Sequence, residues 1–381
     1  MTCIVKSSLL WSVVIAMLVM TCDLRAQMFA GVVTPSDTDS NIDSFNNVHT
    51  WALSFSQPQR KKLFVLLPGT GGIPFVYQQI VRAAASNGYH AVGLMYPNST
   101  SVNERCAFTF DPECHRDIRM EIIDGTNHST RIAVTRANSI ENRLHKLIHT
   151  LHTANTSRGW GQYLDGQTNI IWSNVVIAGH SQGGSHAALI AKTRFVHRCL
   201  MFASMDWRLP ENEPPSWVSE PGITPPERYF GLGHYDDPTV SSNRLVINWN
   251  ALELDAFAPE HLVDFSNPPF DGSHMLMTDL PSTNPHGCMI TDLSMITNGQ
   301  GSVYLPVWKW MMTGPTVLPE LSTISLTTIT VEVRSDWRYQ VQQSTDLMDY
   351  MDVGDAITNQ HGSVHIAIDA STGRTYRVTV E

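Results

Sequence analysis

The sequence predicts an α/β chain: a mostly parallel sheet with helices on both faces, followed by a small all-β domain. Three observations carry that prediction. Short, wholly apolar runs alternate with stretches of helical spacing from about residue 60 to residue 313. One of these runs, 175–178, leads into Gly179-His180-Ser181-Gln182-Gly183-Gly184, a strand, a sharp turn and the start of a helix. From about Thr316 the texture changes to strand-like alternation punctuated by Gly354, Gly362 and Gly373.

Taken in order, strands are expected around 30–33 and 50–55, and then at Leu63–Leu67, a fully apolar buried run. The Gly-rich turn Pro68-Gly69-Thr70-Gly71-Gly72 follows, then a helix over 74–87 and a buried strand from His90. Residues 99–130 are polar, show no clean period and read as an excursion over the sheet edge. Ile132, Ala133, Ile140, Leu144, Leu147, Ile148 and Leu151 recur at helical spacing and predict one long helix over 132–153. The strand at 175–178 precedes a helix over 185–192, and a further apolar strand covers 198–206. The Pro-rich stretch 207–227 is a loop. A strand at 228–233, a helix at 241–252, a strand at 273–280 and a closing helix at 304–313 complete the block. Residues 314–327 read as a linker and 328–381 as the β-module.

Composition bounds the function. Lys6, an apolar run over 9–20 and Leu24-Arg25-Ala26 read as a secretory signal peptide over 1–26, which places the mature chain outside the cytoplasm, secreted or periplasmic. The run is short for a membrane span. The formal charge is −10. That argues against nucleic acid as a partner. Of the cysteines left after residue 26, Cys106 and Cys114 flank a short loop and are the best candidates for a disulfide, while Cys199, at the start of an apolar strand, reads as a buried thiol. The histidines are scattered, and no Cys/His spacing matches a structural zinc site. No metal or organic cofactor is expected.

The turn at Ser181 carries the chemistry. A serine hydroxyl is a weak nucleophile near neutral pH, and it needs a base within reach and a carboxylate to orient that base. In a nucleophile elbow the chain order is serine, acid, histidine. His286, on the loop after the last strand, meets the condition for the base; His274 and His261 are its rivals, and His234 stands where the acid belongs. Asp236 and Asp237 both follow Gly231-Leu232-Gly233. Asp237, which begins a turn with Pro238, is favoured over Asp236, with Asp206 as a third candidate. Backbone N–H groups of Gln182 and Thr70 are expected to form the oxyanion hole. His180 flanks the serine without a catalytic part. Trp172, Trp207, Trp217, Trp249, Trp308 and Trp310 could line an acyl pocket, although each singly suits core packing.

On the strength of Leu66-Leu67-Pro68-Gly69-Thr70-Gly71-Gly72, the Ser181 elbow, Asp237-Pro238 and His286, residues 60–313 resemble the α/β-hydrolases of the esterase/lipase type. Asp237-Pro238-Thr239-Val240 resembles the Asp-Pro-x-Val seen at the acid position of that family. The loop beginning Pro68-Gly69 departs from the family's common His-Gly. The resemblance implies a catalytic domain over 27–313 that cleaves carboxylic esters through an acyl-enzyme, with the excursions 99–130 and 207–227 over the site. A peptidase or an acyltransferase would use the same triad, and a non-catalytic binding protein could keep the same fold. Residues 328–381 resemble small C-terminal β-modules of secreted bacterial proteins through Tyr339-Gln340-Val341-Gln342-Gln343-Ser344, Asp352-Val353-Gly354 and Tyr376-Arg377-Val378. Such a module could attach the protein to a surface or polymer.

Overall fold

Five consecutive apolar residues make Leu63–Leu67 a strand buried on both faces, and the sheet is built outward from it. The computed structural model describes residues 28–316, apart from 167–168 and 210, together with 321–324, 328–333, 339–344, 351–354, 356–357, 362–367 and 375–380. The expected signal peptide lies outside the described residues. Nine strands form the main sheet: β1 (Met28–Val33), β2 (His49–Ser54), β3 (Leu63–Leu67), β4 (His90–Gly93), β5 (Val175–His180), β6 (Arg198–Phe202), β7 (Tyr229–His234), β8 (His261–Leu262) and β9 (Met275–Thr278). Their spatial order is β1-β2-β4-β3-β5-β6-β7-β9-β8. β2 runs antiparallel to both of its neighbours, and every other pairing is parallel. This is the mostly parallel sheet with helices on both faces that the sequence predicts, extended by a small β-module.

Successive side chains on a strand point to opposite faces, so one sheet feeds two cores. Leu63, Val65 and Leu67 pack with Val175, Ile177 and Met201 on one face. Helices α3 (Cys114–Asp124), α4 (Ile140–Ala154), α5 (Gln182–Thr193) and α6 (Ser242–Ala251) cover that face. Phe64 and Leu66 pack with Val176, Ala178, Leu200 and Phe202 on the other, beneath α1 (Gln78–Ser86) and α7 (Leu305–Thr313).

The helical layer differs from the sequence reading in two places. Residues 99–130 hold α2 (Val102–Cys106) as well as α3, and the two are joined by the Cys106–Cys114 disulfide. The apolar positions of α3, Cys114, Ile118 and Ile122, do recur every fourth residue, but charged side chains between them obscure the stripe. The long helix starts at Ile140 rather than near 132. Ser139 caps it by accepting the N–H of Asn142, and Arg136–Asn138 forms only a single 3₁₀ turn before the cap. Strand β8 has two residues and no apolar run to reveal it.

Beyond the main sheet, β10 (Leu321–Ile324), β11 (Thr328–Val333), β12 (Tyr339–Ser344), β13 (Met351–Asp352), β14 (Gly362–Ala367) and β15 (Thr375–Val380) form two three-stranded antiparallel sheets. β10 falls inside the stretch read as linker, so the sheets begin earlier than period-two alternation indicates. Among the described residues no helix is long and apolar enough to cross a membrane.

Two buried histidines predict acid sensitivity. Burial, with Arg143 nearby, lowers His49 to about 3. Burial also lowers His274, stacked between Phe230 and Phe257, to about 3. The unfolded chain binds protons that the folded chain refuses. Their contribution is therefore complete above about pH 6.5 and is lost as the pH falls toward 3, by at most about 1.4 kcal/mol per histidine per pH unit. Thermal unfolding should show Tm dropping steadily between pH 6 and pH 4. A Tm that is flat across this range would exclude the two histidines as acid-labile elements.

Candidate active site

Ser181 sits at φ +52° and ψ −124°, a conformation that a non-glycine residue adopts only under constraint. The constraint is crowding. A Cβ on Gly179 would lie 2.1 Å from the carbonyl carbon of Gly183, and one on Gly183 would lie 2.2 Å from the carbonyl oxygen of Leu67. The chain can reverse between β5 and α5 only with hydrogen at both positions. The Ser181 N–H is tied to the Phe202 carbonyl of β6 at 2.8 Å, which fixes the turn to the sheet. Gln182 opens α5, where the first N–H groups have no partner within the helix and point toward the serine side.

Pro68–Gly72 is held by side chains from the loop after β4. Tyr96 donates to the Pro68 carbonyl at 2.7 Å. Asn98 donates to the carbonyls of Gly69 and Gly72 at 2.7 and 2.9 Å, while its own carbonyl accepts the Gly71 N–H. Thr70 is thereby presented to the same cavity as Ser181, Gln182 and His286. That cavity has a volume of about 440 Å³ and is also lined by Tyr77, Asn103, Glu104, Arg119, Met205 and Val240. None of the six tryptophans lines it. Trp207, Trp217, Trp249, Trp308 and Trp310 are buried in the packing, and Trp172 packs at its edge.

His286 Nδ1 and Asp237 Oδ2 lie 2.7 Å apart. The carboxylate is closed off from solvent, and its other oxygen accepts the N–H groups of Thr239 and Val240 at 2.8 and 3.0 Å. A carboxylate fixed by two amides and facing Nδ1 keeps the proton on that nitrogen and leaves Nε2 as the acceptor. Asp236 is exposed and touches no part of this pair; its N–H donates to His234 Nδ1. Asp206 is buried against α3 rather than against a histidine base. Burial alone would raise its carboxyl, but the charge and hydrogen bonds of Arg119 hold it below the usual range. His274 is enclosed by aromatic rings, His261 faces Ser266 and Asp271, and the Nε2 of His234 binds the Leu280 carbonyl. None of these three lines the Ser181 cavity.

Two groups that the sequence does not single out hold the site together. The first is His180 with Tyr77. Burial lowers the His180 imidazole to about 3, so the ring is neutral. Its Nε2 faces the His286 carbonyl at 2.8 Å, which can only accept, so Nε2 carries the proton. Nδ1 then accepts from the Tyr77 hydroxyl at 2.9 Å, and that oxygen in turn accepts the Gly69 N–H at 3.3 Å. One relay thus ties the Gly69 loop, the elbow and the His286 loop. The sequence reading gave His180 no part because adjacency to serine says nothing about where the ring lands.

The second group is Arg119. It forms a doubly hydrogen-bonded buried pair with Asp206 and donates to the Gln182 carbonyl at 3.1 Å. The Gln182 side-chain oxygen accepts the Val102 N–H at 2.8 Å. Residues 99–130 therefore grip the residue after Ser181 by both its main chain and its side chain. Among the described residues no three His, Cys, Asp or Glu side chains stand close enough to hold a metal ion.

No protein-family model matches the chain, and no curated protein matches it. Among solved structures the chain is similar to a putative dienelactone hydrolase from Klebsiella pneumoniae subsp. pneumoniae MGH 78578, at 12% identity over 75% of this chain and 96% of that one, with a TM-score of 0.37. It is also similar to TT1662 from Thermus thermophilus, at 13% identity over 68% of this chain and 91% of that one, with a TM-score of 0.34. Neither likeness bears on the chemistry of the site.

Tyr77→Phe tests the relay. It strands the Gly69 N–H and His180 Nδ1 in a buried setting, and each unpaired group costs about 1–3 kcal/mol. Denaturant unfolding should show a loss of about 2–6 kcal/mol. An unchanged unfolding midpoint would mean that the relay holds nothing.

Proposed function

We propose that the chain is a serine hydrolase of carboxylic esters. The observation that carries this reading is the His286–Asp237 pair at 2.7 Å, which shares a cavity wall with a serine held at a positive φ. Ser181 Oγ attacks the acyl carbon while His286 Nε2 takes its proton. The imidazolium that forms is stabilised by Asp237, whose second oxygen is held by the N–H groups of Thr239 and Val240. The N–H groups of Gln182 and Thr70 receive the oxyanion. His286 then protonates the leaving alcohol, and a water deprotonated by the same ring releases the acid. Neutral ester substrates suit this lining, whose only Asp, Glu, Lys or Arg residues among the described residues are Glu104 and Arg119, the latter paired with Asp206.

The chain is proposed to act outside the cytoplasm, supported by residues 1–26 as a leader and by the Cys106–Cys114 disulfide. The β-module is proposed to attach the enzyme to a surface or polymer.

Hydrolysis of short p-nitrophenyl esters tests the assignment. Ser181→Ala should lower kcat by about 10⁴-fold or more, and it should abolish labelling by a fluorophosphonate. Asp237→Asn should lower kcat by about 10³- to 10⁴-fold, because it loses the tautomer control. Asp236→Asn should stay within about two-fold of the parent, as for a surface substitution. Wild-type turnover by Ser181→Ala, or equal losses from the two aspartate variants, would sink the assignment.

A further inference from the structure

At the opposite end of the sheet from Ser181 lies a larger cavity, of about 1200 Å³, beneath the first residues of β3, β6 and β7. Its walls carry five cationic side chains, Arg60, Lys62, Arg198, Arg228 and Lys309, and no aspartate or glutamate among the described residues. The chain as a whole has a formal charge of −10, so this concentration of positive charge runs against the composition. The sequence hides it, because Arg60 and Lys62 come from the loop before β3, Arg198 from the start of β6, Arg228 from the turn before β7 and Lys309 from α7.

The partners of these cations make the charge stand out further. Arg60 Nε donates to the Asn87 carbonyl at 2.8 Å. Lys62 Nζ donates to the Ser173 carbonyl and to Asn174 Oδ1 at 3.3 and 2.8 Å. Arg198 donates to the carbonyls of Met311 and Gly314. All of these acceptors are neutral. The field of the cluster converges on His197, which also lines the cavity. Burial, followed by Arg198, Lys62, Arg228 and Arg60, lowers its imidazole to about 2. Burial and Arg228 likewise lower the Lys62 ammonium. Like charges gathered in a concave, partly desolvated space repel one another, and a bound anion relieves that repulsion while gaining charge-assisted hydrogen bonds.

We propose that this cavity binds a small multivalent oxyanion, a phosphate group free or carried on a small organic molecule. A dianion suits the site better than a carboxylate, because the cations surround the space instead of pairing at one point. Arg60 and Lys309 stand exposed at the rim, while Lys62 and Arg198 form the deeper wall. The site is independent of the hydrolytic reading, since it shares no residue with the Ser181 cavity.

The full chain is titrated by calorimetry with inorganic phosphate and, separately, with glycerol 3-phosphate, at constant ionic strength set with chloride. Saturable binding and a rise in Tm that chloride does not give are expected. The stronger of the two ligands tells a free ion from a phosphomonoester. The double variant Arg60→Gln, Lys309→Gln, which changes only exposed side chains, should raise the dissociation constant by about ten-fold or more. Ser181→Ala should leave it unchanged. A crystal soaked in tungstate should show the metal oxyanion between Lys62, Arg198 and the rim, and this locates the site even if the double variant misfolds. Absence of saturable binding, a double variant that binds like the parent, a weakened Ser181→Ala, or tungstate bound only elsewhere would each overturn the proposal.

Discussion

The site depends on the absence of two Cβ atoms. Gly179 and Gly183 approach each other, and the Leu67 carbonyl, so closely that no larger residue fits, and this contact forces Ser181 into its left-handed conformation. A residue at positive φ costs about 1–3 kcal/mol and persists only where its surroundings over-determine it. Here the surroundings are the central strands themselves. β3 lies beside β5, β5 beside β6, and the Ser181 N–H is bonded to Phe202 at the end of β6. The serine is therefore positioned by the most deeply buried part of the molecule, and the loops around it adapt to that fixed point.

Those loops are not independent of one another. The relay from Gly69 through Tyr77 and His180 to the His286 carbonyl joins three segments that are far apart in sequence. Each member has one workable role. A neutral ring with its proton on Nε2 must accept at Nδ1, and a tyrosine that donates there still has an oxygen free to accept an amide. Burial makes the arrangement stable to pH, because charging His180 would put a second donor where the Tyr77 hydroxyl already donates. The loop carrying the proposed base is thus registered against the loop carrying a proposed oxyanion donor.

How much of this could be read from the sequence follows from the range of the interactions involved. Strand β3, the elbow and the order of Ser181, Asp237 and His286 are local patterns, and the residues lie together in the fold. The choice between Asp236 and Asp237 was harder. Neighbouring residues on a turn differ only in direction, and the amides of Thr239 and Val240 hold Asp237 facing His286. Helix α3 was missed because its apolar stripe is short and interrupted by charge. Arg119 was missed for a deeper reason. A charged residue among Asp117, Arg116 and Glu121 reads as part of a solvated face, and only the tertiary fold shows that its partner is Asp206, in the loop after β6.

That buried pair bears on what residues 99–130 do. Two charges removed from water give back little net stability even when well paired, and breaking such a pair by removing one partner costs about 3–5 kcal/mol. Its value here is geometric. Arg119 also donates to the Gln182 carbonyl, and Asp206 accepts from Trp217, which brings the second excursion to the same point. The Val102 amide fixes the Gln182 side chain, and the disulfide keeps α2 and α3, the sources of Val102 and Arg119, next to each other. A polar excursion that looked like a cover over the sheet edge is instead anchored to the first residue of α5. Any motion that opens the cavity at this side must either carry Gln182 with it, disturbing the proposed oxyanion hole, or break a fully buried ion pair. Of the segments that line the cavity, the turn carrying Thr239 and Val240 lies outside this clamp.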